Sequence, residues 1–321
     1  MVIIEFVVLM IVLVFAAYLL SRGAEVLADK WGHNIVGSII LALVTTLPEY
    51  AFVFWASMKE EYQMAVGSAI GSCTLLITLG YGLVIVLATS RFSRKPVKDI
   101  RLSKATRVDA GYLLVTGAVA FALVAWDNAL SLWEGVVLTL ILVGYVYQVL
   151  RRGASHEPTY EVPAKAIIRG AVELVIGGVI VYFASEPFVD SMMHLAETFG
   201  ISSVVIAIVL GPLASEMPEK LTAYIVVLKN GENAELSVCN FLGSKVNHNS
   251  LLLAVMPFVA HFKGHDVVRN LMSPMFVLMT ALTVVVSLLL ARGRLEKRQG
   301  WALIAAYVGA MALAVSTSRP E

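Results

Sequence analysis

Two short stretches of this sequence place a proline directly before a glutamate inside an otherwise apolar run. They read Thr45-Thr46-Leu47-Pro48-Glu49 and Ser215-Glu216-Met217-Pro218-Glu219. A proline has no backbone N–H and interrupts a helix, and a carboxylate inside a bilayer is tolerated mainly where it lines a polar cavity. The two stretches therefore predict two broken helices, each of which supplies half of a cation site.

Oxygen atoms in and after these stretches define the predicted ligand set. Two facing carboxylates would cancel the charge of a divalent cation, and hydroxyl groups and freed backbone carbonyls would complete the shell. Such a set suits Ca²⁺, Mn²⁺ or Mg²⁺ and is compatible with Na⁺, whereas Zn²⁺ or Cu⁺ would require Cys and His clusters. The predicted ligands are Glu49, Glu219, Thr45, Thr46, Ser72, Ser215 and Ser244.

An alternative interpretation is that each Pro-Glu step is only a helix kink. Its glutamate would then pair with a lysine inside the same apolar sequence, Lys220 or Lys245. Duplication of the whole pattern in two distant parts of the chain favours cation binding over a pair of kinks.

Composition identifies the elements that carry these residues as membrane helices. Apolar residues make up 59% of the chain, charged residues make up 15%, and the mean hydropathy is +0.82. These values predict an all-α polytopic membrane protein. A bilayer-spanning helix needs about 20 apolar residues. The predicted spans are 3–20, 35–57, 64–89, 108–125, 132–150, 170–188, 202–228, 235–258, 270–291 and 299–316.

The distribution of Lys and Arg predicts how these ten spans are oriented. The loops on one side of the predicted membrane carry 17 of the 24 basic residues, and those on the other side carry four. Basic residues favour the cytoplasmic side, so both termini are predicted to be extracellular, in the plasma membrane. The basic stretch from Arg91 to Arg107 is interpreted as part of this topology signal. The first span lacks the charged start of a signal peptide and is predicted to be retained.

An internal repeat divides the ten spans into two groups of five. Residues 27–32 before the first motif match residues 195–200 before the second. Because five is odd, the second repeat must enter the membrane from the opposite side, which is the inverted-repeat plan of secondary transporters. The predicted units are a first repeat at 1–152 with its motif near 41–76, a cytoplasmic linker at 153–168, and a second repeat at 169–321 with its motif near 211–248. A transport unit complete in one monomer is expected.

The paired motifs, each followed by a Gly-Ser helix, resemble the alpha repeats of the sodium/calcium exchanger (Ca²⁺/cation antiporter) superfamily. The resemblance covers about 35–90 and 202–258. It implies an antiporter of Ca²⁺ driven by Na⁺ or H⁺, with Glu49 and Glu219 at the central ion site. It also implies that the first spans of the two repeats slide against the remaining helices during alternating access.

Departures from the family pattern bear on the coupling ion. Where the family's sodium/calcium exchangers usually carry Asn or Asp one turn beyond the Gly-Ser step, this chain has Leu76 and His248. A fixed lysine can take the electrostatic place of a bound Na⁺, and a His or Glu can carry a proton. These changes favour H⁺ over several Na⁺ ions. The residues assigned to coupling or charge compensation are Glu216, Lys220, Lys245 and His248.

Some alternatives stay open at this stage. His248 fits a hydrogen-bonded structural role equally well, and Lys220 fits a role that only neutralises Glu216, one helical turn earlier. A cation channel or a family member that has lost transport would share much of the pattern. No hydrolase signature is present, so neither enzyme activity nor a resident cofactor is expected. The expected partners are small cations and the lipid bilayer, not nucleic acid.

Overall fold

The computed structural model describes residues 2–31, 42–153 and 162–317, and most of them are helical. The helices are α1 Val2–Trp31, α2 Leu47–Met58, α3 Tyr62–Leu75, α4 Tyr81–Ala88, α5 Lys104–Asp127, α6 Leu132–Gly153, α7 Ala164–Phe199, α8 Ser203–Ser215, α9 Met217–Lys229, α10 Ala234–Asn247, α11 Leu253–Phe262, α12 Pro274–Ala291 and α13 Lys297–Ser316. Four strands of two or three residues lie in loops: β1 Ile100–Arg101, β2 Ala129–Ser131, β3 Val267–Arg269 and β4 Arg294–Leu295.

All ten predicted spans coincide with helical segments, although residues 35–41 of the second span lie outside the described residues. In the part of the chain that the structure describes, seven helices are long and apolar enough to cross a membrane. The prediction of an all-α polytopic membrane protein is confirmed. Helices α6 and α7 extend into the predicted linker from both sides, to Gly153 and from Ala164, and residues 154–161 lie outside the described segments.

Two of the spans are broken at the Pro-Glu motifs. Residues 42–45 are helical, and α2 begins one residue later, after Thr46. In the second repeat α8 ends at Ser215 and α9 begins after Glu216. Pro48 and Pro218 cannot donate a backbone hydrogen bond to the carbonyl four residues earlier. Each break therefore leaves one carbonyl oxygen, that of Val44 or of Ala214, without its usual helical donor, as the sequence predicts.

Two further spans contain a widened helical turn. A π-helical turn at Leu76–Gly80 joins α3 to α4, and another at His248–Leu252 joins α10 to α11. Single π-helical turns inside α-helices are frequent at functional sites. Each turn begins at the residue that follows the Gly-Ser step by four positions, so the two repeats match in this detail as well.

Close packing between the repeats brings the broken helices together. Helix α3 of the first repeat lies so near α8 of the second that a Cβ atom on Gly71 would stand 2.3 Å from the carbonyl oxygen of Ile208. Helices α1 and α7 approach each other in the same way, since a Cβ on Gly23 would stand 2.6 Å from the carbonyl oxygen of Gly170. Small residues at helix contacts allow such approach inside a bilayer.

The loops gather into two groups that match the two predicted sides of the membrane. Strand β1 pairs with β4 among the loops rich in basic residues, and β2 pairs with β3 among the other loops. On the first side Arg94 donates its backbone N–H to Leu228 at 2.8 Å. On the second side the Gln63 amide donates to the carbonyl oxygen of Asn270 at 2.6 Å. Assignment of the first side to the cytoplasm stays a prediction.

Candidate functional site

Glu49 lies in the first turn of α2, and its side chain is buried. Helix N-termini carry free N–H groups and a partial positive charge, which favour a carboxylate there. The hydroxyl oxygen of Ser215, at the break in the opposite repeat, lies within hydrogen-bond distance of this carboxylate. The Oε2 atom of Glu49 has no hydrogen-bond partner among the described residues. The carboxylate therefore offers a buried oxygen to a ligand.

Glu219 holds the equivalent position in the first turn of α9 and is also buried. Its carboxylate accepts hydrogen bonds from Asn240 Nδ2 at 2.9 Å and from Ser244 Oγ at 3.0 Å, both on α10. Thr45, beside the first break, also contacts it. Glu219 thus connects both breaks and α10 in one network of polar side chains.

Glu216 lies at the second break itself and makes two different contacts. One carboxylate oxygen, Oε2, forms a buried ion pair with Lys220, one turn later. The other, Oε1, stands 3.9 Å from Nδ1 of His248 and has no hydrogen-bond partner within the described ranges. The ion pair places Lys220 beside Glu216, and it leaves one oxygen of Glu216 free.

Three of these side chains form a close group of potential ligands. Glu49, Glu216 and His248 each place one ligand atom within 4.8 Å of the other two, and all three side chains are buried. Both ring nitrogens of His248 lack a hydrogen-bond partner among the residues described. The sequence paired Glu49 with Glu219 at the centre and gave Glu216 and His248 a coupling role. The structure brings Glu216 and His248 into the central cluster, while Glu219 is held by α10.

The remaining predicted hydroxyl ligands surround the same helix breaks. Thr46 donates to the carbonyl oxygen of Ala42 at 2.5 Å, and Ser215 donates to that of Gly211 at 3.3 Å. These hydroxyl groups keep lone pairs for a cation while their protons are used within the helix. The Ser72 hydroxyl is buried and has no partner in the described part of the chain.

Lys245 takes a different direction from the one that its position in the sequence suggests. Although it follows Ser244 directly, its ammonium group donates to Sδ of Met279 at 3.2 Å and contacts Cys73. Both lysines inside the spans are buried, but among the described residues only Lys220 is paired with a carboxylate.

Several buried amides belong to this region, although the sequence analysis did not single them out. Asn240 donates to Glu219, and Asn247 accepts a hydrogen bond from the Tyr50 hydroxyl across the repeat interface. Asn249 is buried in the π-helical turn. The sequence does contain a signal for these asparagines, because uncharged amides inside an apolar span also require hydrogen-bond partners.

Comparison with known proteins agrees with this architecture. The family model for sodium/calcium exchanger protein matches residues 1–151 and 170–316. An uncharacterized membrane protein of Methanocaldococcus jannaschii is 26% identical over 297 residues, which cover 90% of each chain. The crystal structure of the H⁺/Ca²⁺ exchanger CAX superposes with a TM-score of 0.79 at 20% identity, covering 98% of this chain and 86% of that one.

A second solved structure carries the same fold. The sodium-calcium exchanger NCX_Mj superposes with a TM-score of 0.69 at 23% identity and covers 97% of this chain and 99% of its own. The fold, the repeated motifs and the family match over both repeats agree with one another. The chain therefore belongs to the sodium/calcium exchanger family.

Proposed function

We propose that this protein is a secondary active antiporter that exchanges Ca²⁺ or a similar divalent cation for H⁺ or Na⁺ across the plasma membrane. One observation carries the proposal. Glu49 and Glu216, which come from opposite repeats, each have a buried carboxylate oxygen without a hydrogen-bond donor among the described residues, and their carboxylates lie close together. Membership of the exchanger family supports it, since the two solved structures of the same fold are those of an H⁺/Ca²⁺ exchanger and a sodium-calcium exchanger.

The charge balance of the site suits a divalent cation. Glu49, Glu216 and Glu219 carry three negative charges when ionised, and Lys220 carries one positive charge, so the four side chains sum to −2. A central charge in a bilayer costs about 2.5–3.5 kcal/mol on insertion scales. A site that is emptied without replacement ions would leave that charge uncompensated. The helices therefore switch between access states only when a divalent cation or its counter-ions are bound. This requirement makes the transport cycle an exchange.

Helices α1 and α7 are the elements that we expect to slide between the two access states. They contact each other along small residues, at Gly23 with Gly170 and at Gly177 with Ala16, so they can move as one unit. A groove of about 870 Å³ opens on the side that is predicted to be extracellular, lined in part by Glu61, Glu197 and Ile208. It reaches the contact of α8 with α3 and provides an entry path for cations.

Protons are the favoured counter-ion. Leu76 is buried at the start of the first π-helical turn, where an oxygen ligand would be needed for an additional Na⁺. The Lys220 ammonium already occupies one oxygen of Glu216 with a positive charge. Fewer places for monovalent ions therefore remain than an exchange with several Na⁺ requires.

The test is uptake of radioactive calcium into proteoliposomes, driven in parallel by an outward Na⁺ gradient or by a pH gradient of the same size. We expect the pH gradient to drive uptake and Glu49→Gln to abolish it. Glu232→Gln, which changes an exposed loop glutamate, is the matched control. Uptake driven by Na⁺ alone would refute proton coupling. Flux that follows voltage without any counter-ion would refute antiport and indicate a channel.

A further inference from the structure

We propose that the cation bound between Glu49, Glu216 and His248 is a first-row transition metal ion of the Mn²⁺ type, preferred over Ca²⁺ and Mg²⁺. This inference rests on the proposed function, because it names the substrate class of the same site. Four buried polar atoms carry it: Oε2 of Glu49, Oε1 of Glu216 and both ring nitrogens of His248. None has a hydrogen-bond partner among the described residues.

The spacing of one ligand atom from each of the three side chains fits one metal ion. The ligand atoms of the three side chains lie within 4.8 Å of one another. Two ligands on opposite sides of an ion stand about 4–5 Å apart, which is twice a metal–ligand distance of about 2.0–2.6 Å. A direct hydrogen bond does not explain the arrangement, because Nδ1 of His248 is 3.9 Å from Oε1 of Glu216 and hydrogen bonds between nitrogen and oxygen are about 2.7–3.2 Å long.

The types of donor atom select the metal. Ca²⁺ and Mg²⁺ take oxygen ligands almost exclusively, and a neutral imidazole adds little for either ion. Imidazole nitrogen suits transition metals, whereas carboxylates and carbonyls suit Mn²⁺ as well as Mg²⁺ and Ca²⁺. A set of two carboxylates, one imidazole and nearby hydroxyls such as that of Ser215 therefore favours a first-row transition metal ion such as Mn²⁺ over Ca²⁺ and Mg²⁺. Cysteine is not among the three grouped ligands, which disfavours the softest metals.

The ion pair of Glu216 with Lys220 strengthens this preference. Hard cations gain affinity mainly from the number of charged ligands, and the Lys220 ammonium reduces the charge that Glu216 presents. A metal that forms a bond to the imidazole nitrogen recovers part of that loss, while Ca²⁺ does not. The same ion pair fixes the Glu216 carboxylate with its free oxygen towards His248.

The first experiment is competition in the intact wild-type protein, reconstituted in proteoliposomes. Mn²⁺ is expected to inhibit calcium uptake at concentrations about tenfold lower than those at which Ca²⁺ itself half-saturates transport, and Mg²⁺ is expected to inhibit only weakly. His248→Asp replaces the nitrogen with a charged oxygen ligand and should reverse the order of Mn²⁺ and Ca²⁺. Equal or weaker inhibition by Mn²⁺ in the wild type would overturn the inference without any variant.

A second measurement detects the ligand directly. Electron spin-echo modulation of Mn²⁺ bound to the purified protein should contain a signal from an imidazole nitrogen. The signal should be lost in His248→Asn and kept in His261→Asn, which changes an exposed histidine at the end of α11. Absence of the signal in wild type, or its persistence in His248→Asn, would refute the ligation by His248.

These outcomes separate the two proposals. Calcium antiport that depends on Glu49 but shows no Mn²⁺ preference and no nitrogen signal would refute the metal assignment and leave antiport standing. Mn²⁺ binding with a His248 nitrogen signal, but without transport of any divalent cation, would refute antiport and leave the metal site standing.

Discussion

The buried ion pair of Glu216 and Lys220 makes a quantitative prediction about stability. Both side chains are 2% exposed, so solvent screens their charges very little. Removing one partner of a buried pair leaves an uncompensated charge and costs about 3–5 kcal/mol. Lys220→Met should therefore reduce the free energy of unfolding by that amount, because it leaves Glu216 facing the second buried acid, Glu49, without its cation.

Replacing both partners should be far less harmful. In the double variant Glu216→Gln/Lys220→Met neither member of the pair leaves a charge behind, and neutral replacements of buried pairs are often harmless or even stabilising. A double-mutant cycle should therefore show a coupling energy of several kcal/mol. Ca²⁺ or Mn²⁺ should stabilise Lys220→Met more than the wild type, since that variant presents a more negative site.

The assay is unfolding of the purified protein in mixed micelles, followed by tryptophan fluorescence with and without divalent cation. Lys59→Met is the matched control, because Lys59 pairs with Asp190 at 2.9 Å on a partly exposed surface, where an ion pair contributes about 0.2–1 kcal/mol. If Lys220→Met costs no more than Lys59→Met, the pair is not ionised. The charge balance proposed for the site would then be wrong.

Three further predictions follow from single contacts. Gly71→Ala should cost about 1–3 kcal/mol through its contact with α8, whereas Gly144→Ala, which has open space around it, should cost nothing. Asn240→Ala removes a hydrogen bond to the α9 carboxylate and should change divalent cation affinity about tenfold or more. A hydrogen bond from Lys263 lowers the pKa of the Glu60 carboxyl. The contact between these two side chains should therefore persist above the pKa that Glu60 has in the unfolded chain, and it should be lost as the pH falls through the lower pKa of Glu60 in the folded protein. The rate of amide exchange at residues 58–61, corrected for intrinsic rates, should rise at that pH in the wild type. In Glu60→Gln the corrected rate should no longer depend on pH.

The sequence predicts the spans and the helix breaks because both arise from local chemistry. Hydropathy over about 20 residues marks a span, and a proline interrupts a helix wherever it stands. Pro48 and Pro218 therefore place both breaks correctly. The inverted order follows from the odd number of spans in each repeat, which needs no knowledge of packing.

The grouping of side chains at the site depends on contacts between distant segments, so the sequence predicts it less well. Lys245 directly follows Ser244, yet its ammonium reaches Met279 on α12 because of the way α10 packs. Glu216 enters the central cluster because the break after α8 lies beside α2 and the second π-helical turn, which carry Glu49 and His248. The spacing within one motif contains no information about that contact.

The differences between the two motifs can be understood as one set of linked changes. Compared with the first motif, the second has a glutamate where Thr46 stands, and it also has Lys220 directly after its central glutamate. The added acid and the added lysine form a pair, so the total charge of the site remains that of Glu49 and Glu219 alone. His248 adds a neutral nitrogen donor at the π-helical turn. Under the proposed function, the site thus retains the charge that a divalent cation requires while its donor atoms change, which is the change expected when the preferred metal shifts and the exchange itself is kept.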